Sequence, residues 1–326
     1  MRKWRVNIAE NVFQDCGVQH ARHAFFLMRR KPLLEAVESP IMKNRKISRQ
    51  SPPTASNILK IIFIRRMQII VRPFLIDELK KISALAHGVS PRCFETETGE
   101  KGTLCLGPNR DLGSSALHRK SFLRSLDVES DEVYLVKQVH GDRVYVLDNA
   151  TLSCDDIAAV EADAIVTGLP GKPVGVLTAD CVPVIVYDAC LHVAGVVHAG
   201  RKGTAENILS KTIGVLRSVF GSRPENILVA MGPGIGGCCY EVDEICVRPF
   251  KDKFRTWADF AKKTVGDKYR LDLFLASEED GLNAGIRPEN IFRLKECTAC
   301  RVDRFFSYRK EGKTGRLLTL AMLRQR

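Results

Sequence analysis

Two imidazoles and one thiol stand at the ends of apolar, strand-like runs: His140 after Val133–Val139, Cys181 after Val174–Thr178, and His198 after Val193–Val197. No Cys-x-x-Cys finger lies beside them. Structural zinc sites draw four protein ligands from close-spaced pairs, whereas catalytic sites keep three and leave one position for water or substrate. The trio therefore has the composition of a catalytic metal site. Taken singly, each residue also fits an ordinary packing role, and spacing alone does not show that they converge. Asp180 precedes Cys181 and is placed to orient a ligand or transfer a proton, while Pro183 interrupts the ladder just beyond the thiol.

A second chemical signal follows His198. The stretch Ala199-Gly-Arg201-Lys202-Gly-Thr204 carries two cations and two glycines into a helical pattern. Free N–H groups at a helix start, with Arg201 and Lys202 beside them, suit a phosphate or carboxylate. A solvated basic turn is the plain alternative. The run Gly232-Pro-Gly-Ile-Gly-Gly237 lacks the Gly-x-Gly-x-x-Gly spacing of a dinucleotide site and reads as a tight turn supporting a site. Cys238-Cys239 read as buried thiols, and Cys297-Thr-Ala-Cys300 as packing, a redox pair or half of a zinc site.

The elements that must position these residues alternate between strand and helix from residue 67 onward. Expected strands are Val133–Val139, Val144–Leu147, Ala164–Thr167, Val174–Thr178, Pro183–Tyr187, Val193–Val197, Ile227–Met231, Ile291–Leu294, Arg304–Tyr308 and Leu317–Leu323. Several are unbroken Val/Ile/Leu runs, as in strands covered on both faces. Expected helices are Pro73–Leu85, Ser114–Leu126 with Ser114 as N-cap, and Thr204–Phe220, whose apolar stripe stops at Gly221. Arg-Pro-Glu-Asn-Ile occurs at 223–227 and again at 287–291, either as a duplicated helix-to-strand unit or as recurring connector chemistry.

Charge narrows the function classes. Residues 1–66 hold fourteen Lys/Arg against four Asp/Glu, so they carry +10 of the chain's +12 and leave about +2 for the rest. The basic excess belongs to that segment, and nucleic acid is not expected as the main partner. Residues 1–66 read either as a disordered basic arm or as an over-extended reading frame ahead of a start at Met67, with 67–326 as the catalytic domain. The apolar stretch Ile58–Ile76 is broken by Lys60, Arg65, Arg66 and Arg72, which excludes a membrane span. Eleven irregularly spaced cysteines without an apolar leader suggest reduced thiols and a cytoplasmic setting.

Six strings occur in order: Gln138-Val-His-Gly-Asp-Arg143, Ala162-Asp-Ala-Ile-Val-Thr167, Leu177-Thr-Ala-Asp-Cys-Val-Pro183, His198-Ala-Gly200, Met231-Gly-Pro-Gly-Ile-Gly-Gly-Cys-Cys-Tyr-Glu-Val242 and Phe305-Phe-Ser-Tyr-Arg309. Together they resemble the YfiH-like family, whose members are described as polyphenol oxidase or laccase-domain proteins and as peptidoglycan editing factors. The resemblance covers residues 80–323. It implies a single α/β (α+β) domain with mixed sheets flanked by helices, and zinc held by His140, Cys181 and His198. It also implies phosphorolysis of purine nucleosides (adenosine, inosine, guanosine, methylthioadenosine), with adenosine deamination as a related activity. Nucleoside and phosphate would be the partners, with Arg201, Lys202, Arg309 and Gln138 as substrate-binding residues. One departure stands out: the family's usual Trp-Arg after His-Ala-Gly is Arg201-Lys202 here, replacing a stacking ring by a cation and a guanidinium fork by a point charge.

Two other chemistries use the same atoms. Two His and one Cys also compose a blue-copper centre, so a copper-dependent phenol oxidase is an alternative, with copper less favoured than zinc. A multicopper laccase needs many paired imidazoles, and this chain has seven His and no His-x-His. A cysteine hydrolase, with Cys181 as nucleophile and an imidazole as base, suits the peptidoglycan-editing description.

Overall fold

The computed structural model describes residues 69–104, 106 and 112–325. The expectations for residues 1–66 and for a start at Met67 fall outside them. The described chain is a mixed α/β fold in which two sheets pack face to face between helices. One sheet has six strands, in the order Ile291–Arg293, Ile227–Met231, Val182–Asp188, Val193–Ala199, Ala164–Thr167, Val144–Leu147. Its outer pairs are parallel and its central pairs antiparallel. The other has four, in the order Leu85–Val89, Leu317–Leu323, Val174–Thr178, Tyr134–Leu135.

Alternation explains the layering. Successive strand residues point to opposite faces, so Val184 and Val186 pack under the helices with Ile208, Ile213 and Leu216. Ile185 and Tyr187 face the other way and meet Val174 and Val176 of the four-stranded sheet. That sheet's far face, through Leu318 and Leu320, packs on Phe122 and Leu123 of the Leu112–Arg124 helix. Val182–Asp188 and Val193–Ala199 are buried along their whole length, as their Val/Ile runs require.

Several expected elements come out shorter or different. Thr204–Phe220 is two helices, Arg201–Ala205 and Ile208–Phe220, broken where Asn207 takes a left-handed φ of 60°. Gly221, at φ 78°, does end the second. Pro73–Leu85 contains one helical turn, Asp77–Lys80, before Leu85–Val89 joins a sheet as a strand. The Leu112–Arg124 helix is already under way at Ser114, which is therefore not its cap. Val133–Val139 pairs as a strand at Tyr134–Leu135 and makes an isolated parallel bridge from Lys137 to Glu161; next to it the Gln138 amide ties the segment to Leu177, giving to Leu177 O (2.9 Å) and accepting from Leu177 N (2.7 Å).

Arg304–Tyr308 is not a strand. Phe305 and Phe306 bury beside Val89 and Leu317 from an irregular segment, and Ser307 caps the turn Tyr308–Glu311. The two Arg-Pro-Glu-Asn copies form matching 3-10 turns, Pro224–Asn226 and Pro288–Asn290. Each follows a helix and leads into a strand, and the two strands pair in parallel.

Candidate metal centre and adjoining cleft

The strand ends deliver the trio to one place. The imidazole nitrogens of His140 and His198 and the Cys181 thiol all lie within 4.8 Å of one another. The two rings meet edge-on, with centroids 4.7 Å apart. His198 is buried at the end of Val193–Ala199, Cys181 is partly buried just before Val182–Asp188, and His140 is exposed.

Asp163 organises the centre, a role the sequence reading did not assign. It is fully buried where the chain enters Ala164–Thr167. Its carboxylate accepts from the successive amides of Val139 (3.2 Å), His140 (2.9 Å) and Gly141 (2.7 Å). That cradle holds His140 at a left-handed φ of 60°, a conformation unfavourable for a residue with a Cβ. The same carboxylate accepts from His198 Nδ1 at 2.7 Å, and Asp163 O accepts the His198 amide at 2.7 Å. With Nδ1 carrying that proton, Nε2 of His198 is left for a ligand, the usual second partner of a metal-bound histidine.

Asp180 does its work on the other side of Cys181. It adopts φ 93°, its carboxylate accepting the Thr298 hydroxyl (2.6 Å) and the Arg309 amide (2.6 Å). Both oxygens are thus engaged in fixing the turn that presents the thiol. Gly200 closes the centre: a Cβ there would stand 3.1 Å from Cys181 Sγ, 3.2 Å from His140 Cδ2 and 3.5 Å from His198 Cε1.

The electrostatics favour a thiolate. Burial alone would push the Cys181 thiol up, but hydrogen bonds from His140 and His198 and their charges outweigh it and bring it down to about 6. Burial would lower His198, yet the Asp163 and Cys181 contacts raise it to about 9. Burial likewise works against an ionised Asp163; the His198 bond and the backbone amides overcome it and hold the carboxyl below its ordinary range. Two imidazole nitrogens and one thiolate, backed by a buried carboxylate, form a donor set that fits zinc or copper with a position open.

Beside the trio lies a cleft of about 540 Å³, lined among others by Arg201, Tyr240, Glu241, Asp243, Lys268 and Arg309. Arg309 lies 4.9 Å over the Tyr240 ring and donates to Glu241 O at 2.6 Å. Lys268 is paired with Asp243, whereas the Arg201 guanidinium has no hydrogen-bond or ion-pair partner among the described residues. Burial pushes the Tyr240 hydroxyl up, while Arg201 opposes and Cys181 reinforces that shift, which ties the ring to the metal centre.

The structure brings Arg201 and Arg309 together and leaves two other expected residues apart. Lys202 is exposed and outside the cleft lining, and Gln138 is spent on Leu177. The helix-start amides are also redistributed. Asp280 fills the N-terminus of Ile208–Phe220, accepting from the Leu209 and Ser210 amides and from Asn207 Nδ2. Only the short turn Arg201–Ala205 remains open beside His198. Tyr240 was legible as the aromatic of Cys-Cys-Tyr-Glu but was not assigned a role. Cys238 and Cys239, expected as buried thiols, are exposed and partly buried.

Comparison with known proteins shows the family. A family described as multi-copper polyphenol oxidoreductase laccase matches residues 108–324. The chain belongs to this laccase-domain, YfiH-like family. Purine nucleoside phosphorylase YfiH of Shigella flexneri is 33% identical over 206 residues, spanning 63% of this chain and 79% of that protein. Adenosine deaminase RL5, from an unknown prokaryotic organism, is 33% identical over 218 residues, covering 64% and 83%. Among solved structures, Bacillus licheniformis hypothetical protein YfiH superposes with a TM-score of 0.69 at 27% identity, covering 78% of this chain and 99% of that one. YlmD of Geobacillus stearothermophilus gives 0.68 at 26%, covering 78% and 97%. Among the described residues no helix is long and apolar enough to cross a membrane.

Proposed function

We propose that this family member is a zinc-dependent purine nucleoside phosphorylase, acting on adenosine, inosine, guanosine and methylthioadenosine. The observation that carries the reading is the convergence of His140, Cys181 and His198, backed by Asp163, around Gly200, next to Arg201, which lines the cleft and has no partner among the described residues. In that reading the trio holds the ion, which supplies Lewis acidity at the open position. Arg201 and Arg309 hold the phosphate, and the Tyr240 ring takes the stacking role of the aromatic that Arg201 replaces. A phosphate oxygen forms a bond to the anomeric carbon, the bond to the purine nitrogen breaks, and its electron pair leaves with the base, which takes a proton. Deamination of adenosine in the same cleft would bond a water oxygen to C6 of the purine and break the C6–N bond, releasing ammonia and leaving inosine.

The lowered Cys181 thiol supports a second reading, in which it acts as a nucleophile beside two imidazoles. Chelation separates the two, because a nucleophilic cysteine would keep its activity after metal removal. Both need Cys181 free of disulfide, which suits a reducing cytoplasm. The test is metal analysis of the purified protein paired with base release from adenosine, inosine and methylthioadenosine, with and without phosphate. Phosphate-dependent release from at least one is expected; release from none sinks the proposal.

A further inference from the structure

Four cysteines that the trio's chemistry does not use come together on the far side of Asp180. Cys238 and Cys239 follow the glycine-rich turn, and Cys297 and Cys300 come from the loop after Ile291–Arg293. All four sulfurs lie within 4.8 Å of one another, with 3.8 Å from Cys238 to Cys239, 3.7 Å from Cys238 to Cys300 and 3.3 Å from Cys239 to Cys300. A tetrahedron of thiolates about 2.3 Å from a central zinc has edges of about 3.8 Å. The spacing therefore fits a single four-coordinate ion. An iron–sulfur cluster carries its four thiolates on the outside of a multi-iron core, further apart than these.

The surroundings are those of a built site. Gly236 N donates to Cys297 Sγ at 3.3 Å, a bond that favours the thiolate. A Cβ on Gly236 would stand 3.2 Å from Cys238 Sγ and 3.6 Å from Cys297 Sγ, so the sulfurs close over a position where a side chain would press on Cys238. Gly200 bears the same relation to the trio. Arg270 donates to the Cys238 carbonyl, bringing a guanidinium toward a group that four thiolates would make anionic. The odd feature is the vicinal pair, and the turn at Gly236–Cys239 resolves it: the Cys239 and Tyr240 amides both donate to Gly236 O, which turns the two side chains to one side.

We propose that Cys238, Cys239, Cys297 and Cys300 bind a second, structural zinc ion. The ion cross-links two loops that hold the trio's own turn. Gly234 and Cys297 form an isolated bridge, and the Thr298 amide donates to Gly234 O at 2.9 Å. The Thr298 hydroxyl reaches Asp180, and the Ile235 amide donates to Asp180 O at 2.7 Å. The second ion thus clamps the residue before Cys181 from both of its partners. Its role is to fix the turn, since four protein ligands leave no open position.

The test is zinc stoichiometry of the full chain, purified under reducing conditions, for the native protein, Cys300→Ser and His140→Ala. Two zinc ions per chain are expected in the native protein and one in each variant. If the trio binds no metal but the four cysteines do, the native protein holds one zinc that His140→Ala keeps and Cys300→Ser loses, so the two proposals fail separately. Should Cys300→Ser not fold, thiol titration of the native protein decides: the four sulfurs are expected to be unreactive until a chelator is added. Equal zinc in native and Cys300→Ser protein overturns the proposal. So does a Cys239–Cys300 disulfide in the native chain, or ready thiol reaction without chelator.

Discussion

Replacing Asp163 by Asn tests whether the centre depends on its buried carboxylate. The carboxylate accepts four hydrogen bonds, three from backbone amides and one from His198 Nδ1. An asparagine keeps the shape, but its NH2 group turns two donor hydrogens toward a ring of donors. At least one buried amide then loses its acceptor, at about 1–3 kcal/mol. His198 loses the charge that fixes its tautomer, and loss of such a partner costs about 10–100-fold in metal affinity. That is about 1.4–2.8 kcal/mol at the ion. The assay is a zinc competition titration against a chromophoric chelator, with a melting curve of the metal-free protein beside it. Both Kd and Tm should worsen, and Kd should worsen most. An Asp163→Asn protein that binds zinc within twofold of the native affinity would refute the argument that the carboxylate organises the centre.

Three further outcomes follow from single contacts. Gly200→Ala puts a methyl 3.1 Å from Cys181 Sγ and should weaken zinc binding about tenfold or more, read by the same competition, with the fold kept in its circular dichroism spectrum. Tyr240→Ala should raise KM for nucleoside while Tyr240→Phe leaves it near native, because stacking on a base is worth about 1–3 kcal/mol and needs only the ring; equal KM values in all three would remove Tyr240 from base binding. His87 gives the acid dependence: its Nε2 accepts the Ile76 amide at 3.1 Å, and burial holds its pKa down to about 4. The unfolded chain binds the proton first as pH falls, so this contribution is complete above pH 6.5 and is lost progressively toward pH 4. It amounts to about 3 kcal/mol. His87→Gln keeps an acceptor and should flatten stability across that window in urea titrations; an unchanged slope would assign the acid sensitivity elsewhere.

The strand ends were readable because Val/Ile runs declare themselves wherever a strand is covered on both faces, as at Val193–Ala199. The trio could be proposed because each member follows such a run. What stayed hidden was carried by long-range polar contacts. Asp163 looks like any acid before a strand until three amides and an imidazole from other segments converge on it. The apolar stripe begins only at Ile208, so it carries no sign of the break at Asn207, and the Asp280 carboxylate that caps the second helix lies about seventy residues away. Phe305 and Phe306 mimicked a strand because burial alone does not distinguish a ladder from a packed loop. The four cysteines were visible as a vicinal pair and a Cys-x-x-Cys, but these lie about sixty residues apart, and only the parallel pairing of Ile227–Met231 with Ile291–Arg293 sets their two loops side by side.

The most direct test of the central claim is a phosphorus NMR time course of adenosine with inorganic phosphate. It compares native protein, the same protein stripped of metal and reloaded with zinc, and His198→Ala. A growing pentose 1-phosphate signal is predicted for the native and zinc-reloaded protein, with none from the stripped protein or from His198→Ala. No such signal from native protein, or an equal rate after metal removal, would contradict the account.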